Sequence, residues 1–144
     1  MCGVLGLVGR HSLRGDEGQR LGLGLRTMSH RGPDASGSFL EDAVGLGHVR
    51  LSVLDLRSSA NQPMVSSNGR FVISYNGEIY NFDELREEFA LRNLKTGSDT
   101  EVVLELFSKI GTGSFRLFNG MFSFAIYDRE EKTVWLVRDR LGIK

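Results

Sequence analysis

The chain has one cysteine, at position 2 between Met1 and Gly3. Removal of Met1 would leave Cys2 with a thiol and a free α-amine on the same carbon. Ordinary thiols and α-amines ionise at about 8.5 and about 8, close enough to share a proton near neutrality. An N-terminal amine serving as base for its own side chain is a known way to activate a nucleophile. The competing reading is a small buried hydrophobe, the commoner use of a free cysteine. Further on, Asn76-Gly77 lies in the run Tyr75-Asn76-Gly77-Glu78-Ile79-Tyr80-Asn81. Asn-Gly is a strong hairpin-turn signal. An Asn carboxamide and a Gly backbone N–H are also donors of the kind that form an oxyanion hole in acyl transfer.

These residues need elements to hold them. Residues 3–9 read as a short buried strand. Residues 16–30 put Leu21, Leu25 and Met28 on one helical face, with Gly22 and Gly24 inside. Each of those glycines costs roughly 1 kcal/mol relative to Ala, so the helix is expected to pack closely on something. Pro33 disfavours helix at Gly32 and ends it. Residues 36–40 and 44–51 read as a hairpin around Glu41-Asp42-Ala43, followed by a polar loop over 55–69. Residues 70–76 form a strand that ends at Asn76-Gly77.

Residues 81–91 predict a helix capped by Asn81, with Glu84 three residues on and Phe82, Leu85 and Phe89 on one face. A second helix over 100–110 has Ser98 and Glu101 at capping-box spacing. Residues 121–128 alternate, with Phe122, Phe124 and Ile126 on one face, and return through Arg129-Glu130-Glu131-Lys132 as a strand over 133–138. Strands joined by hairpins with helices inserted in blocks point to an antiparallel α+β sandwich.

Composition narrows the setting. At 144 residues the chain is sized for one domain with a single core. Lys plus Arg equals Asp plus Glu at 18 each, so no bulk field favours nucleic acid or a membrane surface. One cysteine rules out an internal disulfide and a four-cysteine zinc site. The apolar run from Val4 to Val8 is too short for a signal-peptide core. These features predict a cytoplasmic enzyme-sized domain. Glycine is enriched, at 18 residues, beside only two prolines, which marks tight turns and close backbone approaches rather than low complexity.

Several motifs then align in order along the whole chain: Met1-Cys2-Gly3-Val4-Leu5-Gly6, His30-Arg31-Gly32-Pro33-Asp34 and Gly47-His48-Val49-Arg50-Leu51-Ser52-Val53-Leu54-Asp55. Asn61-Gln62-Pro63-Met64, the Tyr75 run, Ser98-Asp99-Thr100-Glu101, Asn119-Gly120-Met121-Phe122 and Arg138-Asp139-Arg140-Leu141-Gly142-Ile143-Lys144 follow. In this array the chain resembles the N-terminal glutaminase domain of glutamine-hydrolysing asparagine synthetases. These are class II glutamine amidotransferases of the N-terminal-nucleophile hydrolase superfamily.

The resemblance implies a four-layer α-β-β-α sandwich of two antiparallel sheets, with Cys2 at the end of a central strand. It implies Cys2 as nucleophile, its freed amine as base, and Asn76 with Gly77 as the oxyanion hole. Arg50 would bind the α-carboxylate of glutamine through its guanidinium fork, and Asp99 would pair with the α-ammonium. Glu78 would help position the substrate, and Leu51, Val53 and Asn61 would line or order its pocket. For Arg50 and Asp99 the plainer alternative is a surface charge, and Asp99 could also cap the helix from Thr100. His30 and His48 suggest a Cys–His dyad or a metal site, but they fall in motifs to which the family gives no catalytic role.

The resemblance also sets expectations about extent. It implies one glutamine amidotransferase domain across 1–144, incomplete at its C-terminus, with the synthetase domain absent. The glutaminase chemistry would need no cofactor. ATP and magnesium are implied only for the synthetase part, whose Ser-Gly-Gly-x-Asp-Ser pyrophosphate loop does not occur in these residues. Expected partners are glutamine and a downstream synthetase domain, with room for a homodimer and none for nucleic acid or membrane. Two other readings stay open: ammonia supply to a sugar or peptide-building acceptor, and a truncated module that keeps the fold without catalysis.

Overall fold

The computed structural model describes residues 1–13 and 15–144. In chain order its elements are β1 (Gly3–Val8), α1 (Glu17–Thr27), β2 (Ala35–Glu41), β3 (Val44–Arg50), β4 (Met64–Val65), β5 (Phe71–Ile79), α2 (Phe82–Glu88), α3 (Asp99–Ile110), β6 (Gly120–Asp128) and β7 (Thr133–Arg138). The strands form two antiparallel sheets, one ordered β1-β3-β2 and the other β4-β5-β6-β7.

Three apolar interfaces stack these elements into four layers. Leu21 and Leu25 of α1 pack on Val49, with Leu5, Leu7 and Met28 around them. Val44 and Leu46 point the other way, against Val72, Ala125 and Tyr127 of the second sheet. The opposite face of that sheet, including Ile73, Tyr75, Phe122, Phe124 and Ile126, meets Val102, Val103, Leu106 and Phe107 of α3 and Leu85 of α2. The expected four-layer α-β-β-α order follows from this alternation, and each fully buried Leu, Ile or Phe contributes about 1.5–3 kcal/mol.

Several expectations are corrected in detail. Among the described residues β3, not β1, is the central strand of its sheet: every residue of β3 is buried, whereas β1 pairs on one side only and is partly exposed. The helix over 16–30 stops at Thr27, and a 3-10 turn, Ser29–Arg31, carries the chain to Pro33. Of its two glycines only Gly24 marks a close approach, since a Cβ there would lie 2.5 Å from Leu5 Cδ2, while one at Gly22 meets open space. The loop over 55–69 contains a 3-10 turn, Ser58–Ala60, and the short strand β4. Asn81 does not cap α2 through its side chain: its amide donates to Leu117 O and its oxygen accepts from Asn119 N.

The largest correction concerns β5. It does not end at Asn76-Gly77 but runs through them to Ile79, paired with β6 in unbroken register. The turn reading of Asn76-Gly77 is therefore wrong. Gly77 is what lets the strands stay in contact there, because a Cβ would fall 2.4 Å from Met121 O and 2.6 Å from Phe122 Cα. No helix among the described residues is long and apolar enough to cross a membrane.

Candidate active site

β1 and β3 bring Cys2 to the mouth of the cleft between the sheets. Gly3 pairs with Val49, so Cys2 lies beside the end of β3, and Leu51 N donates to its half-buried Sγ at 3.4 Å. Arg31 Nε donates to Cys2 O at 3.3 Å, which fixes the backbone of the candidate nucleophile. A pocket of about 160 Å³ opens there, with Cys2, Arg50, Asn76, Gly77, Glu78 and Asp99 among its lining residues.

The edge of β5 shows how a free donor is placed in that pocket. β4 covers this edge only at Val72 and Ile73. Successive N–H groups of a strand point to opposite edges. Tyr75 N donates to Gln62 Oε1 at 2.7 Å and Ile79 N to Asp99 Oδ2 at 2.9 Å, both on the edge away from β6. By the same alternation the Gly77 N–H, midway between them, faces this edge, and Gly77 lines the pocket. Asn76 also lines the pocket, and its carboxamide makes no side-chain hydrogen bond among the described residues.

Arg50 is not an exposed surface charge. It is buried, and oxygens at the back of the site fix its head: Nη1 donates to Asn61 Oδ1 at 2.8 Å and to Arg57 O at 3.0 Å, and Nη2 donates to Asp55 O. A guanidinium has five N–H donors, so two remain for a ligand. Asn61 therefore orders Arg50 rather than lining the pocket. Leu51 and Val53 do line it, with Val53 largely exposed at the rim.

Asp99 is also buried, so the surface-charge reading fails for it as well. It is the first residue of α3 but does not act as its cap. Ser98 does that, accepting from Glu101 N at 3.4 Å, while the Glu101 carboxylate turns back to Lys95 N and Thr96 N. The Asp99 carboxylate instead accepts from Tyr75 Oη at 2.5 Å and from Ile79 N. Burial pushes its pKa up, partly offset by those two donors and by the Thr100 N–H, and the nearby Glu78 charge adds to the rise. The Tyr75 hydroxyl is pushed far up by burial and by Asp99, so it stays a donor. A desolvated carboxylate with Glu78 nearby is short of positive charge, which an α-ammonium would supply.

The histidines are elsewhere in function. His30 is exposed, with Nδ1 3.1 Å from Thr27 O. His48 is fully buried between the sheets, and its Nε2 donates to Tyr75 O at 3.0 Å. Among the described residues no group of three or more His, Cys, Asp or Glu side chains is placed to hold a metal ion. Tyr75, Gln62 and Asp55 also shape the site through their hydrogen bonds. The only signal for them in the sequence is their presence within the motif runs.

Sequence and structure comparisons bear on this geometry. The profile of a family described as a glutamine amidotransferase domain matches residues 1–144. A putative glutamine-hydrolysing asparagine synthetase 2 of Methanocaldococcus jannaschii is 38% identical over 164 residues, covering 100% of this chain and 31% of that protein. Asparagine synthetase 2 of Bacillus subtilis is 39% identical over 146 residues, covering 100% of this chain and 19% of its own length. Asparagine synthetase B of Escherichia coli is 44% identical over 119 residues, covering 82% of this chain and 21% of its own. The chain thus spans between about a fifth and a third of these relatives. The solved B. subtilis glutamine phosphoribosylpyrophosphate amidotransferase, in complex with ADP and GMP, superposes with a TM-score of 0.77 at 20% identity, over 100% of this chain and 38% of that one. At that identity the likeness speaks for the fold alone.

Proposed function

The chain belongs to the glutamine amidotransferase domain family, and from that premise we propose that it hydrolyses glutamine to glutamate and ammonia with Cys2 as nucleophile. The observation that carries the proposal is one pocket that gathers Cys2, the Asn76 and Gly77 donors, and the oppositely charged Arg50 and Asp99. A free amino acid has a carboxylate and an ammonium on its α-carbon, and the two buried charges suit them one each.

The steps balance with water alone. Hydrolysis of the Met1–Cys2 bond frees the Cys2 amine, which takes the thiol proton. The thiolate attacks the side-chain amide carbon of glutamine, and the carbonyl π electrons move to oxygen. The Asn76 carboxamide and Gly77 N–H hold that oxyanion, an effect worth about 3–4 kcal/mol per donor. Collapse breaks the C–N bond as the ammonium returns its proton to nitrogen, and ammonia leaves a γ-glutamyl thioester. Water then adds, giving a proton to the amine, and the C–S bond breaks to release glutamate and restore the thiol. Arg50 and Asp99 hold the α-groups, Glu78 flanks them, and Leu51 and Val53 shape the wall.

The wider role rests on the relatives. They carry the name glutamine-hydrolysing asparagine synthetase, so the ammonia is proposed to serve ATP-dependent amidation of aspartate by a synthetase domain, in the cytoplasm. The rim of the pocket supports an acceptor partner: Leu51, Val53 and Leu54 line it and are all exposed within four residues. Glutamate release from glutamine is the direct test. Cys2→Ala should abolish it, as should retention of Met1, read by mass spectrometry. Turnover by either form would remove Cys2 or its amine from the mechanism.

A further inference from the structure

We propose that Asp55 is a positioning residue that sets the span between Arg50 and Asp99, and so the fit to a substrate bearing both α-groups. The inference rests on the reading of those two side chains as the α-carboxylate and α-ammonium anchors of glutamine. Asp55 touches both halves of that site. Its backbone oxygen accepts from Arg50 Nη2. Its side-chain Oδ2 accepts from Gly97 N at 2.8 Å, two residues before Asp99 and 42 along the chain from Asp55 itself.

The carboxylate is held from the other side as well. Arg57 N and Nε donate to Oδ1 at 3.0 Å and 2.9 Å, and Arg57 Nη2 donates to Oδ2 at 2.5 Å. The Asp55 side chain is 5% exposed although that of Arg57 is 62% exposed. This is therefore not a loose surface pair of the kind that contributes little. The Arg57 guanidinium, then the Gly97 and Arg57 N–H groups, keep the carboxyl well below the usual carboxylate range, so it remains an acceptor on both oxygens.

An asparagine at this position has one acceptor oxygen and one NH₂ group. It would turn that NH₂ either toward Gly97 N and Arg57 Nη2 or toward Arg57 N and Nε, and the hydrogen bonds on that side would be lost. Losing the Gly97 bond frees the turn that leads into Asp99 while leaving Cys2, Asn76 and Gly77 untouched. The effect should therefore appear in substrate binding rather than in the chemical step. A residue that only stabilised the loop would change Cys2 reactivity and thermal stability together with KM.

The test uses the full-length protein with Met1 removed. Asp55→Asn should raise KM for glutamine about tenfold or more, the loss expected for one hydrogen bond to a charged group, with kcat within about threefold. Alkylation of Cys2 by iodoacetamide without glutamine should keep its rate, while glutamine should protect less well. Protection by glutaramate, which lacks the α-ammonium, should weaken less than protection by glutamine. Gly97→Pro, which deletes the N–H but leaves the carboxylate intact, should reproduce the KM effect and decides the matter if Asp55→Asn does not fold. Arg50→Lys and Asp99→Asn are measured alongside. If they raise KM and neither Asp55→Asn nor Gly97→Pro does, the positioning role is overturned and the anchor reading stands. If they leave KM unchanged, the anchors and the positioning role fall together.

Discussion

Asn76 and Arg50 both line the pocket, and the proposed mechanism places them at different points of the free-energy profile. The Asn76 carboxamide has no hydrogen-bond partner among the described residues, and in the proposed mechanism it meets charge only when the oxyanion forms. Asn76→Ala should lower kcat about 10²–10³-fold with little change in KM. Arg50 is bound at three positions by Asn61, Arg57 and Asp55 oxygens and keeps two donors for a ground-state carboxylate. A lysine has no planar fork to satisfy those acceptors and a ligand together, so Arg50→Lys should chiefly raise KM. Steady-state glutamate release separates the two patterns. If Asn76→Ala changed KM alone, it would belong with substrate binding instead.

The course of β5 explains what the sequence could and could not reveal. The alternation of Phe122, Phe124 and Ile126, the hairpin at Asp42 and the two helices near Phe82 and Thr100 follow from local patterns. Each is within about a residue of its predicted start, although α2 ends earlier than its pattern implied. Asn76-Gly77 misled because its turn preference is also local, whereas the strand continues for non-local reasons: β6 closes on Gly77, and Gln62 and Asp99 bind the N–H groups on either side. Cys2, Asn76, Gly77, Arg50 and Asp99, which the family resemblance singles out within ordered motifs, line one pocket. Tyr75, Gln62 and Asp55 are not singled out, because their roles come from contacts 13 to 42 residues away that no periodicity encodes. Gln62 also ties β5 to the start of α3, since its Nε2 donates to Thr100 Oγ1 at 3.2 Å. Gln62→Leu keeps much of the volume but strands the buried Tyr75 N–H. It should cost about 1–3 kcal/mol, read as a lower urea midpoint with unchanged slope. An unaltered midpoint would show that this edge does not depend on Gln62.

His48 links the two sheets, rising from β3 to the Tyr75 carbonyl of β5, and it makes the stability of the whole sandwich depend on pH. Its bond to a carbonyl requires the proton on Nε2, and its buried Nδ1 has no partner among the described residues. Burial, only partly offset by the Tyr75 bond and reinforced by the Arg50 charge, pushes its pKa from 6.5 down to about 4. The unfolded chain therefore binds a proton between about pH 6.5 and pH 4 that the folded chain refuses. Stability contributed by neutral His48 is fully present above pH 6.5 and is lost as pH falls through that window. The slope approaches about 1.4 kcal/mol per pH unit, for a total on the order of 3 kcal/mol. Asp99 acts in the opposite sense, since burial raises its pKa and the folded state holds its proton more tightly on acidification. Comparison with His48→Gln, whose amide can still donate to Tyr75 O but does not titrate, isolates the histidine. Between about pH 7 and pH 4.5 the parent should lose urea resistance more steeply than the variant. Parallel pH profiles would mean that His48 accepts its proton within the folded sandwich.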